Sequence, residues 1–170
     1  MTRLLLMRHA KSDWSSGENE DFLRPLNQRG VRDARNMGRW LAAEGYLPDS
    51  VISSPSRRTR DTLRLLGEGA GMALDPRVTW DDALYLAALP ALLEALRRHG
   101  RDSGVMVLGH NPGLEELLGW LLADRMPVAA TSKIFPTGAV YVLGQAEPVS
   151  ALTRGDSRIV AAQRPRHLCE

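Results

Sequence analysis

The sequence predicts an α/β fold of three layers, with a mostly parallel central sheet flanked by helices. Two observations predict it. Short apolar runs alternate along the chain with longer stretches of helical periodicity, the pattern of strand–helix–strand units. Several of those runs are apolar at every position rather than at alternate ones, as strands covered on both faces are. At 170 residues the chain predicts one domain, spanning 1–170. A domain of this size buries roughly 70% of the surface its unfolded chain exposes, enough for a core without disulfide or metal staples.

The elements follow in order. Leu4-Leu5-Leu6-Met7 is a first, fully buried strand. A polar stretch ends at Asn27-Gln28-Arg29-Gly30. Val31, Ala34, Met37, Gly38, Leu41 and Ala42 then recur at helical spacing, and Gly45 closes that helix. Asp49 to Ser53 is a second strand. Arg57 to Leu66 is a second helix, which the glycines at 67, 69 and 71 are expected to stop. Arg77 to Trp80 is a third strand. Leu89, Leu92, Leu93 and Leu96 mark a helix with Pro90 in its first turn. Val105 to Leu108 is the strongest strand, and Leu114, Leu117, Leu118, Leu121 and Leu122 define the strongest amphipathic helix. Ala139 to Leu143 and Ser157 to Ala162 complete the sheet.

Composition excludes several function classes. Apolar residues at 44% and charged residues at 25% are ordinary for a globular chain. Aromatics at 5% leave little to stack on single-stranded nucleic acid. No apolar run approaches the ~20 residues of a membrane span. MTRLLLM is too short an apolar stretch for a secretion signal, so a cytoplasmic location is expected. The single cysteine, Cys169, rules out an internal disulfide framework and a cysteine-rich zinc site. His99 and His167 stand in no HxxxH or HxH arrangement, so no metal is expected. Net charge is only +2, yet all but two of the 22 basic residues, Lys11 and Lys133, are arginine. GC-rich codon usage accounts for much of that bias. Residues 1–64 nevertheless hold 12 basic against 8 acidic residues. Arginine forks match phosphate oxygens, and with no long basic stripe a small anion fits better than a duplex.

Three strand ends concentrate the chemistry. LLLM runs into Arg8-His9-Ala10-Lys11, and VMVL runs into Gly109-His110-Asn111-Pro112-Gly113. In open α/β sheets, ligands bind at the carboxyl ends of the strands. Asn111 reads as an N-cap with Pro112 at the first helical position, which would set an anion-binding helix end beside His110. The third junction is Ser53-Ser54-Pro55-Ser56-Arg57-Arg58-Thr59-Arg60-Asp61-Thr62, again arginine at a helix start. Phe22-Leu23-Arg24-Pro25-Leu26 adds another arginine in the loop after the first histidine. A neutral imidazole is a fair nucleophile, and arginines neutralise a transferring phosphoryl group. Each piece alone has a plainer reading: a structural histidine, a solvated helix arginine, a helix cap. The functional reading rests on their occurring together.

Arg8-His9, Arg24-Pro-Leu, Ser54-Pro-x-x-Arg58-x-x-x-Thr62 and Gly109-His110-Asn-Pro-Gly-Leu-Glu-Glu have the order and spacing of the histidine phosphatase superfamily. The opening MRHAKSDW and the GHNPGLEEL stretch resemble its small phosphohistidine phosphatase branch, the SixA-like proteins. The resemblance runs from about residue 3 to 145. It implies the phosphoglycerate mutase-like fold, with neither metal nor organic cofactor. It implies His9 as a nucleophile that becomes phosphorylated, with Arg8, Arg58 and His110 lining the phosphate pocket and Arg24 as an added ligand; Asn111, at the helix start beside His110, is a further phosphate-binding candidate. Phosphate or sulfate ions should occupy that pocket. Ala10 replaces the glycine of the usual Arg-His-Gly, as this branch commonly has it. The chain has little room for the helical insertion that shapes small-molecule pockets in phosphoglycerate mutases and acid phosphatases. An open site suits a phosphorylated protein, for example a histidine-containing phosphotransfer protein. A small phosphate ester on the same core is the alternative, and a catalytically idle phosphate-binding module is a third. Neither nucleic acid nor membrane is expected as a partner. Family members with a general acid carry it after the third strand, often three residues before an aromatic. Asp82 stands so before Tyr85, and either supplies that acid or simply forms a polar loop with Asp81.

Overall fold

A computed structural model describes residues 1–127 and 133–168; Cys169 lies outside the described residues. Six strands form one sheet: β1 (Thr2–Arg8), β2 (Ser50–Ser53), β3 (Val78–Trp80), β4 (Gly104–Gly109), β5 (Val140–Gln145) and β6 (Arg158–Gln163). Four helices cover it: α1 (Gln28–Ala43), α2 (Arg57–Ala70), α3 (Leu89–His99) and α4 (Gly113–Leu121). The strand order is β3-β2-β4-β1-β5-β6. β3, β2, β4 and β1 are parallel neighbours; β5 runs antiparallel to both β1 and β6. The chain therefore has the α/β architecture that its pattern predicts, a mostly parallel central sheet flanked by helices.

The all-apolar strands are explained by the two faces they serve. Leu4 and Leu6 of β1, with Val105 and Val107 of β4, pack under α3 and α4. The alternating residues Leu5, Met7, Met106 and Leu108 pack against Met37 and Leu41 of α1 and Leu63 and Leu66 of α2. A period of two along each strand thus feeds two cores. α2 runs on to Ala70 instead of stopping at Gly67, and ends at Gly71 in the left-handed region (φ 73°). The two glycines inside it are packing surfaces, not stops. A Cβ on Gly69 would lie 2.0 Å from the Arg35 carbonyl oxygen of α1. Among the described residues, no helix is long and apolar enough to cross a membrane.

Candidate active site

β1 and β4 are adjacent and in register, Arg8 opposite Gly109. Their two histidines therefore emerge side by side, the His9 amide donating to the Gly109 carbonyl at 3.1 Å. The ring centroids of His9 and His110 are 5.3 Å apart. β2 lies on the other side of β4, so its loop delivers Ser54 and the first turn of α2 to the same edge. Arg58 is 2% exposed, whereas Arg57 and Arg60 face solvent. One turn later, the Thr62 hydroxyl accepts from the Ala10 amide at 3.1 Å. That bond ties α2 to the loop carrying His9, and Ala10 is fully buried without displacing it.

Hydrogen-bond logic fixes both imidazole tautomers. Arg58 Nη2 lies 3.4 Å from His110 Nδ1. Guanidinium nitrogens only donate, so Nδ1 accepts and Nε2 carries the proton, which goes to Ser54 Oγ at 2.8 Å. His9 Nδ1 is 2.7 Å from the Ala10 carbonyl oxygen. A carbonyl only accepts, so Nδ1 holds the proton and the lone pair sits on Nε2. Burial, joined by the repulsion a second proton on His110 would add and by the positive charges of Arg58 and Arg8, pushes His9 from 6.5 down to about 3 against the pull of the Ala10 bond. Burial, then Arg58, pushes His110 to about 3 despite Asp21. Both rings are neutral at physiological pH.

The arginines converge on Asp21, which sequence reasoning missed. It opens a 3-10 turn over Asp21–Leu23. Its carbonyl oxygen accepts from Arg58 Nη1 at 2.7 Å, and its carboxylate from Arg58 Nη2 at 3.0 Å. The same carboxylate accepts from Arg24 and from the Tyr85 hydroxyl. Burial opposes its charge, but the bonds from Tyr85, Arg24 and Arg58 outweigh burial and hold the carboxyl at about 2. Arg24 is buried, donates through Nε to Ser12 Oγ at 3.0 Å and stacks on Trp14. Arg8 donates to the Phe135 carbonyl at 3.1 Å. Nε of Arg8 and Nε of Arg58 are buried with no hydrogen-bond partner among the described residues. Buried donors left unpaired are costly, and an oxyanion beside the histidines would satisfy them.

One expectation is corrected. Asn111 does not cap α4: its amide nitrogen donates to the Phe135 carbonyl at 3.0 Å, and Pro112 takes the cap position with no side-chain bond. The second glycine of GHNPG serves packing, since a Cβ on Gly113 would lie 1.9 Å from the Ala87 carbonyl oxygen. Asp82 is exposed and its side chain makes no hydrogen bond or ion pair among the described residues. Asp81 caps the turn by accepting from the Ala83 amide and pairs with His99. Tyr85 reaches the site instead, its ring edge-on to His110 at 5.6 Å. Among the described residues, no three histidine, cysteine or carboxylate side chains cluster as a metal site would require.

The sequence model of the histidine phosphatase superfamily (branch 1) matches residues 4–85. An uncharacterised Mycobacterium tuberculosis protein is 32% identical over 165 residues, which is 94% of this chain and all of that one. The chain belongs to the histidine phosphatase superfamily. Within it the chain is SixA-like. The phosphohistidine phosphatase SixA of Escherichia coli is 29% identical over 140 residues, 81% of this chain and 82% of that protein. The solved structure of a proposed phosphohistidine phosphatase SixA from Agrobacterium tumefaciens superposes with a TM-score of 0.79 at 28% identity. It covers 96% of this chain and 98% of that one. A phosphatase activity follows from the superfamily.

The neutral histidines make stability depend on pH in a stated direction. An unfolded chain protonates its histidines near 6.5, whereas the folded chain holds these two neutral to about 3. Between those values the unfolded state binds more protons, so stability falls as pH falls. Each such histidine contributes at most ~1.4 kcal/mol per pH unit. Thermal melts of wild type and His110→Gln from pH 7 to pH 4 should converge as the pH drops, because the variant lacks one of the two groups. Parallel curves would contradict the assignment.

Proposed function

We propose that the chain is a single histidine phosphatase domain, 1–170, that hydrolyses phosphohistidine on a protein. The observation that carries this reading is His9: a neutral ring with its proton committed to the Ala10 carbonyl and a lone pair on Nε2. The Nε2 lone pair forms a bond to phosphorus as the P–N bond of the substrate breaks. The departing imidazole keeps that electron pair and takes a proton from solvent. Water then attacks the phosphoryl group on His9; the P–Nε2 bond breaks, and phosphate and a proton leave. Arg8, Arg58 and Arg24 would neutralise the equatorial oxygens, with His110 and Asn111 beside them.

The state of the carboxylates supports a phosphohistidine over an ester. Asp21 is held ionised by three donors, and Asp82 points to solvent without a partner among the described residues. Neither is a ready proton donor. An alkoxide leaving group needs one, whereas an imidazole leaves from a labile P–N bond with little help. The likeness to the Escherichia coli phosphohistidine phosphatase points the same way. Turnover of a phosphorylated histidine-containing phosphotransfer protein, measured beside a panel of sugar phosphates, tests this. A higher kcat/KM on the phosphoprotein is expected; a much higher one on the panel would overturn the reading.

A further inference from the structure

A cavity of about 350 Å³ is lined in part by Arg8, the residue that precedes His9 in the chain. Four separate segments line it: Arg8 and Lys11 at the end of β1, Arg29 in the first turn of α1, Lys133 ahead of β5, and Arg164 and Arg166 in the C-terminal turn. Among the described residues, the six charged ones that line it are all cations. Asp33, one turn on, pairs with Arg29 at 3.4 Å, and Glu115 acts on Arg8 from α4. The described charges on this concave surface are thus mainly positive, and Pro136, Thr137 and Pro165 complete its described lining. Like charges collected in a cleft repel one another and focus an attractive field on an anion. The volume lies at the low end for small-ligand sites and accommodates more than one oxyanion group. Arg8 lines the cavity and directly precedes His9, and its Nε is buried with no hydrogen-bond partner among the described residues.

We propose that this cavity is a second anion subsite. It holds a carboxylate or phosphate that the substrate carries next to its scissile phosphoryl group. The proposal rests on the phosphatase reading and extends it from the reacting group to its neighbour. Arg8 would then touch both anions, which couples occupancy of the cavity to placement of the phosphoryl group on His9. The other cations lie outside the reacting centre, so their loss weakens binding of the second group and leaves the chemistry alone.

The test uses the double variant Lys11→Gln with Arg166→Gln, two partly or fully exposed side chains whose loss spares the core. Calorimetric titration with tungstate should show two sites on the wild type and one on the variant; a single site on the wild type overturns the proposal whatever the activity. Kinetics then identify the source of the anion. With p-nitrophenyl phosphate, which has one anionic group, kcat and KM should match the wild type. The KM of a phosphohistidine peptide flanked by glutamates should rise on the order of tenfold on the variant, while that of its glutamine-flanked twin should not. If the loss appears instead with fructose 1,6-bisphosphate against fructose 6-phosphate, the second anion belongs to a small ester. No differential loss with either pair refutes the subsite. Two tungstate sites on the wild type, a differential loss on the bisphosphate pair and no turnover of any phosphohistidine substrate would defeat the substrate reading and leave the subsite standing.

Discussion

His9→Ala abolishes turnover, by at least ~10⁴-fold if the loss of a covalent nucleophile elsewhere is a guide. The geometry singles out this imidazole from its neighbour. Both nitrogens of His110 are engaged, Nδ1 by Arg58 and Nε2 by Ser54. His9 Nε2 makes no hydrogen bond among the described residues, while its Nδ1 proton is committed to Ala10. Only His9 therefore presents a lone pair in the free state. The fold should survive the change, because His9 ends β1 rather than filling either core and its backbone bond to Gly109 is retained. Acid quenching of wild type during turnover should trap a phosphate that is acid-labile and base-stable, as phosphohistidine is. His9→Ala should trap none while keeping a wild-type circular dichroism spectrum. Near-normal turnover in a folded variant would end the mechanism.

Much of this arrangement was legible in the sequence because it is local. LLLM and VMVL declare buried strands by themselves, and the histidine after each is placed at the sheet edge by the strand it follows. The Ser54, Arg58 and Thr62 spacing aims the start of α2 at the two histidine loops: Ser54 and Arg58 bond His110 after β4, and Thr62 bonds Ala10 after β1. What was not legible depends on tertiary contact. Gly67 and Gly69 read as helix breakers because propensity counts the residue and not the helix packed against it. Asn111 reads as a cap because its alternative partner, the Phe135 carbonyl, lies 24 residues away. Asp21 was one of several acids in a polar loop, and nothing nearby signals that Arg58, 37 residues on, takes both its carbonyl and its carboxylate. Its distance of three from Arg24 was the one available cue.

The sharpest separation expected among the arginines is within one turn of α2. Arg58→Ala should lower kcat by ~100-fold or more, the scale of losing a preorganised donor to developing charge. Arg58 is the largest fully buried side chain, and its guanidinium spans Asp21 and His110. Removing it takes away phosphate neutralisation and also leaves Asp21 and His110 Nδ1 without a partner they now share. Arg58→Lys should not restore the rate, because an ammonium cannot bridge carbonyl, carboxylate and imidazole with one planar fork. Successive helical residues point ~100° apart, so the adjacent arginines face elsewhere. Arg57 is an exposed partner of Asp61 at 3.7 Å, an i,i+4 pair of ~0.5 kcal/mol or less. Arg60 donates to the Pro55 carbonyl at 2.8 Å and lies 4.3 Å over the Trp80 ring, anchoring α2 to β3. Its loss should lower stability by ~1 kcal/mol and leave kcat alone. A contact of either residue with a protein substrate would raise KM for that substrate and not for p-nitrophenyl phosphate. Steady-state kinetics and thermal melts on the four variants decide the matter. Full kcat in a folded Arg58→Ala, with the loss appearing in Arg57→Ala, would mean that the arginine reaching the phosphoryl group is not the one buried beside His110.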